Sequence, residues 1–282
     1  YTPLKNLQDA ANAVSHGDFT VHADETGNDE FASLAIDFNS MTDKINDQIN
    51  QLKTVADEKQ RMLDNLGHEM RTPLTSIYGY AEYAFRNRLE EEKQLQTMLN
   101  IMEESKRLKR IGDILLEGAY LRENKIEKSR VSAAKLLERI QNIFIMRAGD
   151  KRVKITYKCE DIYVCGDKAL LEILISNLTE NALRACKEGG EIELGAYIIE
   201  NAKTVYVRDN GIGMTNEQLA HITEPFYRTD KARSRRDGGT GLGLALCKTI
   251  ADSHGAELYF ESAPEKGTTA YLRFKTETES EK

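Results

Sequence analysis

The chain has 282 residues and a formal net charge of −7. That length provides for two or three domains with at least one substantial core, and the acidic balance argues against non-specific binding to nucleic acid or to an anionic membrane surface. Cys159, Cys165, Cys186 and Cys247 have no metal-ligand or redox spacing, so reduced thiols in a cytosolic setting are expected and no metal site is read from them.

The start, Tyr1-Thr2-Pro3, has neither an initiator methionine nor a signal pattern, and no apolar run reaches the length of a membrane span. The sequence reads as cut from something longer. Leu4, Leu7, Ala11 and Val14 alternate spacings of three and four, the seam of a short coiled-coil helix. A connector bearing Gly and Asp follows over residues 17–28. Phe31, Leu34, Phe38, Met41, Ile45, Leu52, Val55, Met62 and Leu66 then hold one heptad register, interrupted only by polar Gln48 and Lys59. One long rod is predicted to run into the segment Leu66-Gly67-His68-Glu69-Met70-Arg71-Thr72-Pro73-Leu74. Glu69 falls on the next seam position and Met70 takes over, so the register slips beside His68, where twist can change.

At roughly 100° per residue, Leu66, Met70, Leu74 and Ile77 share one face and His68 lies about 200° from Leu66. His68 is thus expected at solvent, with Thr72 one turn on along the same stripe and Glu69 adjacent. An exposed nucleophile flanked by an acid and a hydroxyl suits chemistry on a docked partner, although a histidine taken alone reads more often as an ordinary surface residue. Pro73 removes a backbone donor and crowds the carbonyl of Glu69, which predicts a local bend.

Residues 86–92 are polar and fit an interhelical loop. Leu95, Met98, Leu99, Met102, Leu108, Ile111 and Leu115 make a second amphipathic helix. Two such helices form a hairpin too thin to bury its own face, so pairing of two hairpins into a four-helix bundle, a homodimer, is expected. Residues 121–130 read as a charged linker. Beyond Val131 the pattern becomes mixed α and β: helices over 133–147, from Asp167 as N-cap through 183, and over 242–253, with strands over 153–157, 162–164, 191–199, 204–208, 257–261 and 269–274.

Three segments of this region carry groups suited to one task. Asn177 and Asn181 stand one turn apart at the edge of the face formed by Leu170, Leu174 and Leu178; they are either structural amides bonded to backbone or, for one of them, a Mg²⁺ ligand. Asp209 continues the inward phase of Val205 and Val207 into Asp209-Asn210-Gly211-Ile212-Gly213-Met214, where a carboxylate can accept a hydrogen bond from adenine's exocyclic amine and repel guanine's carbonyl. Gly238-Gly239-Thr240-Gly241-Leu242-Gly243-Leu244 opens a helix whose free amides can cradle phosphate. It is not a Walker loop, because no Lys-Ser/Thr follows.

Taken with His68, these segments resemble a sensor histidine kinase of two-component systems along nearly the whole chain. His68-Glu69-Met70-Arg71-Thr72-Pro73-Leu74 resembles the phosphoacceptor box, with Gly67 where many members have serine. Asn177-Leu178-Thr179-Glu180-Asn181-Ala182 resembles the Asn box, with Arg184-Ala185 in place of Lys-Tyr. Asp209 to Met214, Glu224-Pro225-Phe226-Tyr227-Arg228 and Gly238 to Leu244 resemble the remaining ATP boxes, in family order. The N-terminal segment resembles a HAMP signal-relay module on its first helix after a proline, its connector, and Asp29-Glu30 leading to Phe38-Asn39-Ser40-Met41; Phe31 and Ala32 stand where that family has an aliphatic residue and a glycine.

The resemblance implies an all-α coiled-coil and four-helix-bundle dimer region followed by an α/β sandwich of the Bergerat-type ATP-binding fold. Its expected divisions are a relay module over 1–52, a dimerisation and phosphotransfer hairpin over 53–121, a linker over 122–130, a catalytic domain over 131–277 and a tail over 278–282. It implies ATP and Mg²⁺ as cofactors, His68 as phosphoacceptor, Glu69 as proton acceptor and Thr72 as a water-orienting residue in phosphatase action. It further implies nucleotide contacts from Asn177, Asn181, Asp209, Gly211, Gly213, Phe226, Tyr227, Arg228, Lys231, Gly239, Thr240, Gly241, Leu242 and Gly243, with Asn181 on the metal and a mobile lid over about 227–237. Lys231 and Arg235 are phosphate contacts or part of a solvated charge run. The expected partners are a response regulator receiver domain and a second copy of the chain, with no nucleic acid. The expected location is the cytoplasmic side of a cell membrane, reached through a preceding N-terminal segment. Two other classes stay open. Clamp-type ATPases resembling Hsp90 or MutL share the ATP boxes but have a glutamate base where this chain has Asn177, with Glu180 a possible substitute; a nucleotide-gated scaffold without catalysis is the other.

Overall fold

The computed structural model describes residues 2–27, 29–123, 126–199, 201–228 and 239–274. They separate into two compact units, 1–66 and 67–282.

In the first unit, α1 (Thr2–Ser15) is followed by a connector and by the start of α2 (Glu30–Arg86). Its small core gathers Ala10, Ala23 and Ala35 with Leu7, Val21 and Phe38 around them. The connector is fastened by Asn39, whose Oδ1 accepts from the Ala23 N–H at 2.8 Å while its Nδ2 donates to the Ala23 carbonyl at 2.9 Å. This two-way bond turns Ala32, Ala35, Asn39 and Thr42 inward. Phe31, Leu34 and Met41 of the predicted seam are consequently exposed in the single chain, one helical position away from the face that the connector covers. Small side chains win that face because a backbone strand must approach the helix closely.

In the second unit α2 continues through Pro73 without a break and α3 (Glu91–Glu123) returns. Leu74, Leu95, Met98, Leu99 and Met102 are exposed, as expected for a hairpin whose apolar face lacks material within its own chain. The end of α3 behaves differently. Ile114 and Leu121 join the core of the α/β region; α3 runs on to Glu123, and β1 (Ser129–Ser132) starts before the expected linker ends at 130. Leu121 lies seven residues beyond Ile114, on the same helical face, and charge at neighbouring positions had masked it.

Then follow α4 (Ala133–Asp150), β2 (Lys154–Cys159), β3 (Tyr163–Gly166), α5 (Lys168–Ala185), β4 (Glu191–Ile199), β5 (Ala202–Asp209), α6 (Asn216–His221), α7 (Gly243–His254), β6 (Ala256–Ala263) and β7 (Gly267–Phe274). Five strands form one sheet in the order β2-β4-β5-β7-β6, and β1 pairs with β3. β2 and β4 are parallel and the other pairs antiparallel. Leu136, Leu137 and Ile140 of α4, Leu171, Leu174 and Ile175 of α5, and Cys247 and Ile250 of α7 share one core with Ile192, Leu194, Val205, Val207 and Leu272 of the sheet. Asp167 caps α5 as predicted, its carboxylate accepting from Ala169 and Leu170 N–H. The short α6, missed by periodicity because none of its residues is buried, is set by a capping box between Thr215 and Gln218. The result is the expected helical region followed by an α/β sandwich.

Candidate functional site

Burial of Leu170, Leu171, Leu174, Ile175, Leu178 and Ala182 fixes the rotation of α5 and leaves Asn177 and Asn181 half-buried at the wall of a cavity of about 840 Å³. That volume suits a nucleotide-sized ligand. Neither amide has a hydrogen-bond partner among the described residues, which removes the reading of both as structural amides satisfied by backbone. The glycine that opens α7 faces Asn177 closely: a Cβ on Gly243 would lie 3.2 Å from Asn177 Oδ1. The Asn pair and the glycine loop, far apart in sequence, are therefore two sides of one space.

Asp209 ends β5 and is buried. Its Oδ1 accepts from the N–H groups of Gly211 at 2.8 Å and Thr268 at 3.3 Å. Burial pushes its carboxyl above the ordinary aspartate range, and the two N–H donors oppose that shift without cancelling it. No described residue donates to Oδ2, so a donor within the cavity can take it. Gly213 lines the cavity at φ +62°, a conformation that glycine adopts at no steric cost. Gly211 does not line it; a side chain there would meet the backbone of Ala185 at 2.6 Å.

Met214, Tyr227, Arg228, Gly239, Thr240, Gly241 and Gly243 belong to the same wall, to which α3 adds Arg110 and Ile114. Phe226 and Leu242 stand behind it. Phe226 holds φ +66° and donates its N–H to the Gly241 carbonyl, while Leu242 is almost fully buried. Thr240 accepts from the Leu242 N–H, and no side chain caps α7, so its first amides keep the open character of an anion site. Lys231 and Arg235, with most of the predicted lid, lie outside the described residues.

His68, Glu69 and Thr72 do not line the cavity. His68 is exposed, as its helical phase predicts, and Thr72 Oγ1 donates to the His68 carbonyl at 3.2 Å. Glu69 makes the link that sequence reasoning missed. Its Oε2 accepts from Arg107 Nη2 at 2.7 Å, across the hairpin, and lies 3.8 Å from Nη1 of Arg228 on the cavity wall. The cue for Arg107 was present: it precedes Ile111 by four residues and so puts an arginine on the buried stripe of α3.

Glu180, the alternative base, is committed elsewhere. Arg147 binds both its oxygens, at 2.6 and 2.9 Å, and Arg184 Nε donates to it at 3.1 Å. Burial alone would raise its carboxyl, but the Arg147 hydrogen bonds and both arginine charges hold it below the usual glutamate range. Both oxygens of Glu180 are thus taken by arginine donors, which leaves neither open to a water proton.

Three family models match the chain: the HAMP domain over residues 2–47, the His Kinase A (phospho-acceptor) domain over 58–124, and the histidine kinase-, DNA gyrase B- and HSP90-like ATPase over 166–278. The signal transduction histidine-protein kinase BaeS of Escherichia coli (strain K12) is 30% identical over 274 residues, 95% of this chain and 56% of that protein. The sensor histidine kinase CpxA of the same strain is 31% identical over 267 residues, 93% of this chain and 55% of that protein. Both matches span only about half of the relative's length. Among solved structures, the Acinetobacter baumannii histidine kinase AdeS superposes with a TM-score of 0.61 at 16% identity, covering 75% of this chain and 98% of that one. The histidine kinase ThkA, in complex with the response regulator protein TrrA, does so with a TM-score of 0.63 at 22% identity, covering 83% and 68%. A phosphoacceptor-type hairpin joined to an ATPase-type sandwich defines the class. The chain belongs to the sensor histidine kinase family.

Proposed function

We propose that the chain transfers the γ-phosphoryl group of ATP to His68 and then to an aspartate of a response regulator receiver domain. The observation that carries this reading is the convergence of Asn177, Asn181, Asp209, Gly213 and the Gly239–Gly243 loop on one nucleotide-sized cavity, in a chain whose exposed His68 has an acid and a hydroxyl as neighbours. Asp209 Oδ2 accepts from the adenine amine, and the amides at the start of α7 with Thr240 and Arg228 face the phosphates. Mg²⁺ can be held by one protein oxygen with phosphates and water for the rest. Asn181 would supply that oxygen, and the ion would neutralise phosphate charge.

The imidazole nitrogen of His68 attacks phosphorus in line, the bond from phosphorus to the bridging β-oxygen breaks and ADP leaves; Glu69 accepts the proton from the other ring nitrogen. Positioning and charge supply most of the acceleration. His68 lies outside the cavity wall, so the catalytic domain must move against the hairpin for the two to meet. The exposed Leu74, Leu95, Met98 and Met102 supply a face for a second hairpin, so the reading includes a homodimer. Thr72 serves the reverse traffic: its hydroxyl orients water against a phospho-aspartate docked at His68, making the protein a phosphatase as well. The HAMP-like segment supports a location on the cytoplasmic side of a membrane; among the described residues no helix is long and apolar enough to cross one.

Incubation of the chain with γ-labelled ATP and Mg²⁺ tests the reading. Label that survives alkali and is lost in acid, as a phosphoramidate is, supports it; absence of protein-bound label with phosphate release into solution would favour a clamp-type ATPase.

A further inference from the structure

We infer that Arg107 is a positioning residue for autophosphorylation, acting through Glu69. This rests on the kinase reading above. Arg107 sits on α3, 38 residues from Glu69, with a side chain only 8% exposed. Burying a guanidinium is costly unless a carboxylate compensates it, and the candidates nearby are few: Glu69 Oε2 at 2.7 Å from Nη2, and Glu104 Oε2 at 4.0 Å from Nη1. The Glu69 contact is the only one of the two at hydrogen-bonding distance, so the burial of Arg107 and the orientation of Glu69 are one structural fact.

The consequence concerns the two oxygens of the Glu69 carboxylate. A glutamate side chain on a helix surface moves among several rotamers and only a fraction of them reach the neighbouring imidazole. Arg107 takes Oε2 and thereby fixes the carboxylate; Arg228, 3.8 Å from the same atom, adds its charge from the catalytic domain without a hydrogen bond. Oε1 has no partner among the described residues. It is the oxygen left to take the imidazole proton. Arg107 itself has donors only, so it cannot be the acceptor. Its contribution is made through Glu69 or not at all.

The test uses the full chain and initial rates of acid-labile labelling over a range of ATP concentrations. Arg107→Gln should lower kcat by about tenfold or more with the KM for ATP within about twofold, because the nucleotide cavity is untouched. Arg107→Lys, which keeps a donor and a charge, should recover most of the loss. The deciding comparison is with Glu69→Gln. If Arg107 acts through Glu69, the double variant is no slower than Glu69→Gln alone; a merely structural arginine would make the two losses multiply. Multiplying losses overturn the positioning role, as does a wild-type rate for Arg107→Gln or for Glu69→Gln. An Arg107→Lys variant that keeps its thermal transition yet is as slow as Arg107→Gln overturns it too. Failure of the kinase reading looks different: the unaltered chain gives no acid-labile label, and the positioning role then falls with it.

Discussion

Phe226 and Gly241 both hold positive φ, at +66° and +71°, and are joined by a hydrogen bond from the Phe226 N–H to the Gly241 carbonyl at 2.8 Å. Two residues in the left-handed region, bonded to each other, lock the Phe-Tyr-Arg turn to the glycine loop. The spacing leaves no room for a side chain, since a Cβ on Gly241 would come within 2.7 Å of Phe226 Cα. Left-handed backbone costs a residue other than glycine about 1–2 kcal/mol before that contact is counted. Gly241→Ala should therefore weaken ATP binding roughly tenfold or more, measured by calorimetric titration, with the helical hairpin unaffected.

Asn181 and Asp209 stand on the same cavity but are assigned to different ends of the nucleotide. Asn181→Ala should raise the Mg²⁺ concentration needed for labelling while leaving metal-free binding of adenosine nucleotides close to that of the unaltered chain. Asp209→Asn should weaken adenine binding even at saturating Mg²⁺, and should reduce discrimination against guanine nucleotides. Equal metal dependence in the two variants would show the assignments to be wrong.

Thr72 is exposed, and among the described residues its hydroxyl bonds only the backbone carbonyl of His68. Thr72→Ala should keep most of the autophosphorylation rate and lose dephosphorylation of a phosphorylated receiver domain, assayed with the regulator labelled beforehand and freed of ATP. Equal loss of both activities would point instead to a damaged helix at Pro73.

His254 gives the chain a defined acid sensitivity. Its Nε2 accepts from the Asp167 N–H at 2.9 Å and its Nδ1 lies 2.8 Å from the Ile250 carbonyl, so the ring is neutral with its proton on Nδ1. Burial is the main cause that lowers its pKa, and Gly166 is held small by the ring: a Cβ there would meet it at 2.6 Å. A histidine depressed in the folded state contributes stability above its unfolded pKa of about 6.5, and that contribution is lost as pH falls from there through the lower folded value. Thermal transitions of the chain should drop over the interval from pH about 6.5 downward, and the drop should shrink in His254→Gln. A transition temperature flat over that interval would contradict the neutral buried ring.

Much of this was legible in the residues. The helical phase of His68, the cap at Asp167 and the inward alternation Val205-Val207-Asp209 are local properties, and local periodicity reports them. What sequence could not give were relations between distant segments. The buried face at the start of α2 depends on Asn39 catching the connector backbone at Ala23, 16 residues away, so a heptad count chose Phe31 and Leu34 where Ala32 and Ala35 are buried. Arg147, on another helix, holds both oxygens of Glu180, a relation that no local pattern reports. Arg107 had a cue in its spacing from Ile111, but its partner, Glu69, is identified only by the pairing of α2 with α3.

The most direct measurement is labelling of His68→Gln with γ-labelled ATP and Mg²⁺, alongside a titration of its nucleotide affinity. Nucleophile and nucleotide cavity are separate in the fold, so the variant should bind ATP within about twofold of the unaltered chain and carry no acid-labile label. Acid-labile label persisting in His68→Gln, with ATP affinity intact, would contradict the assignment of His68 as the phosphoacceptor.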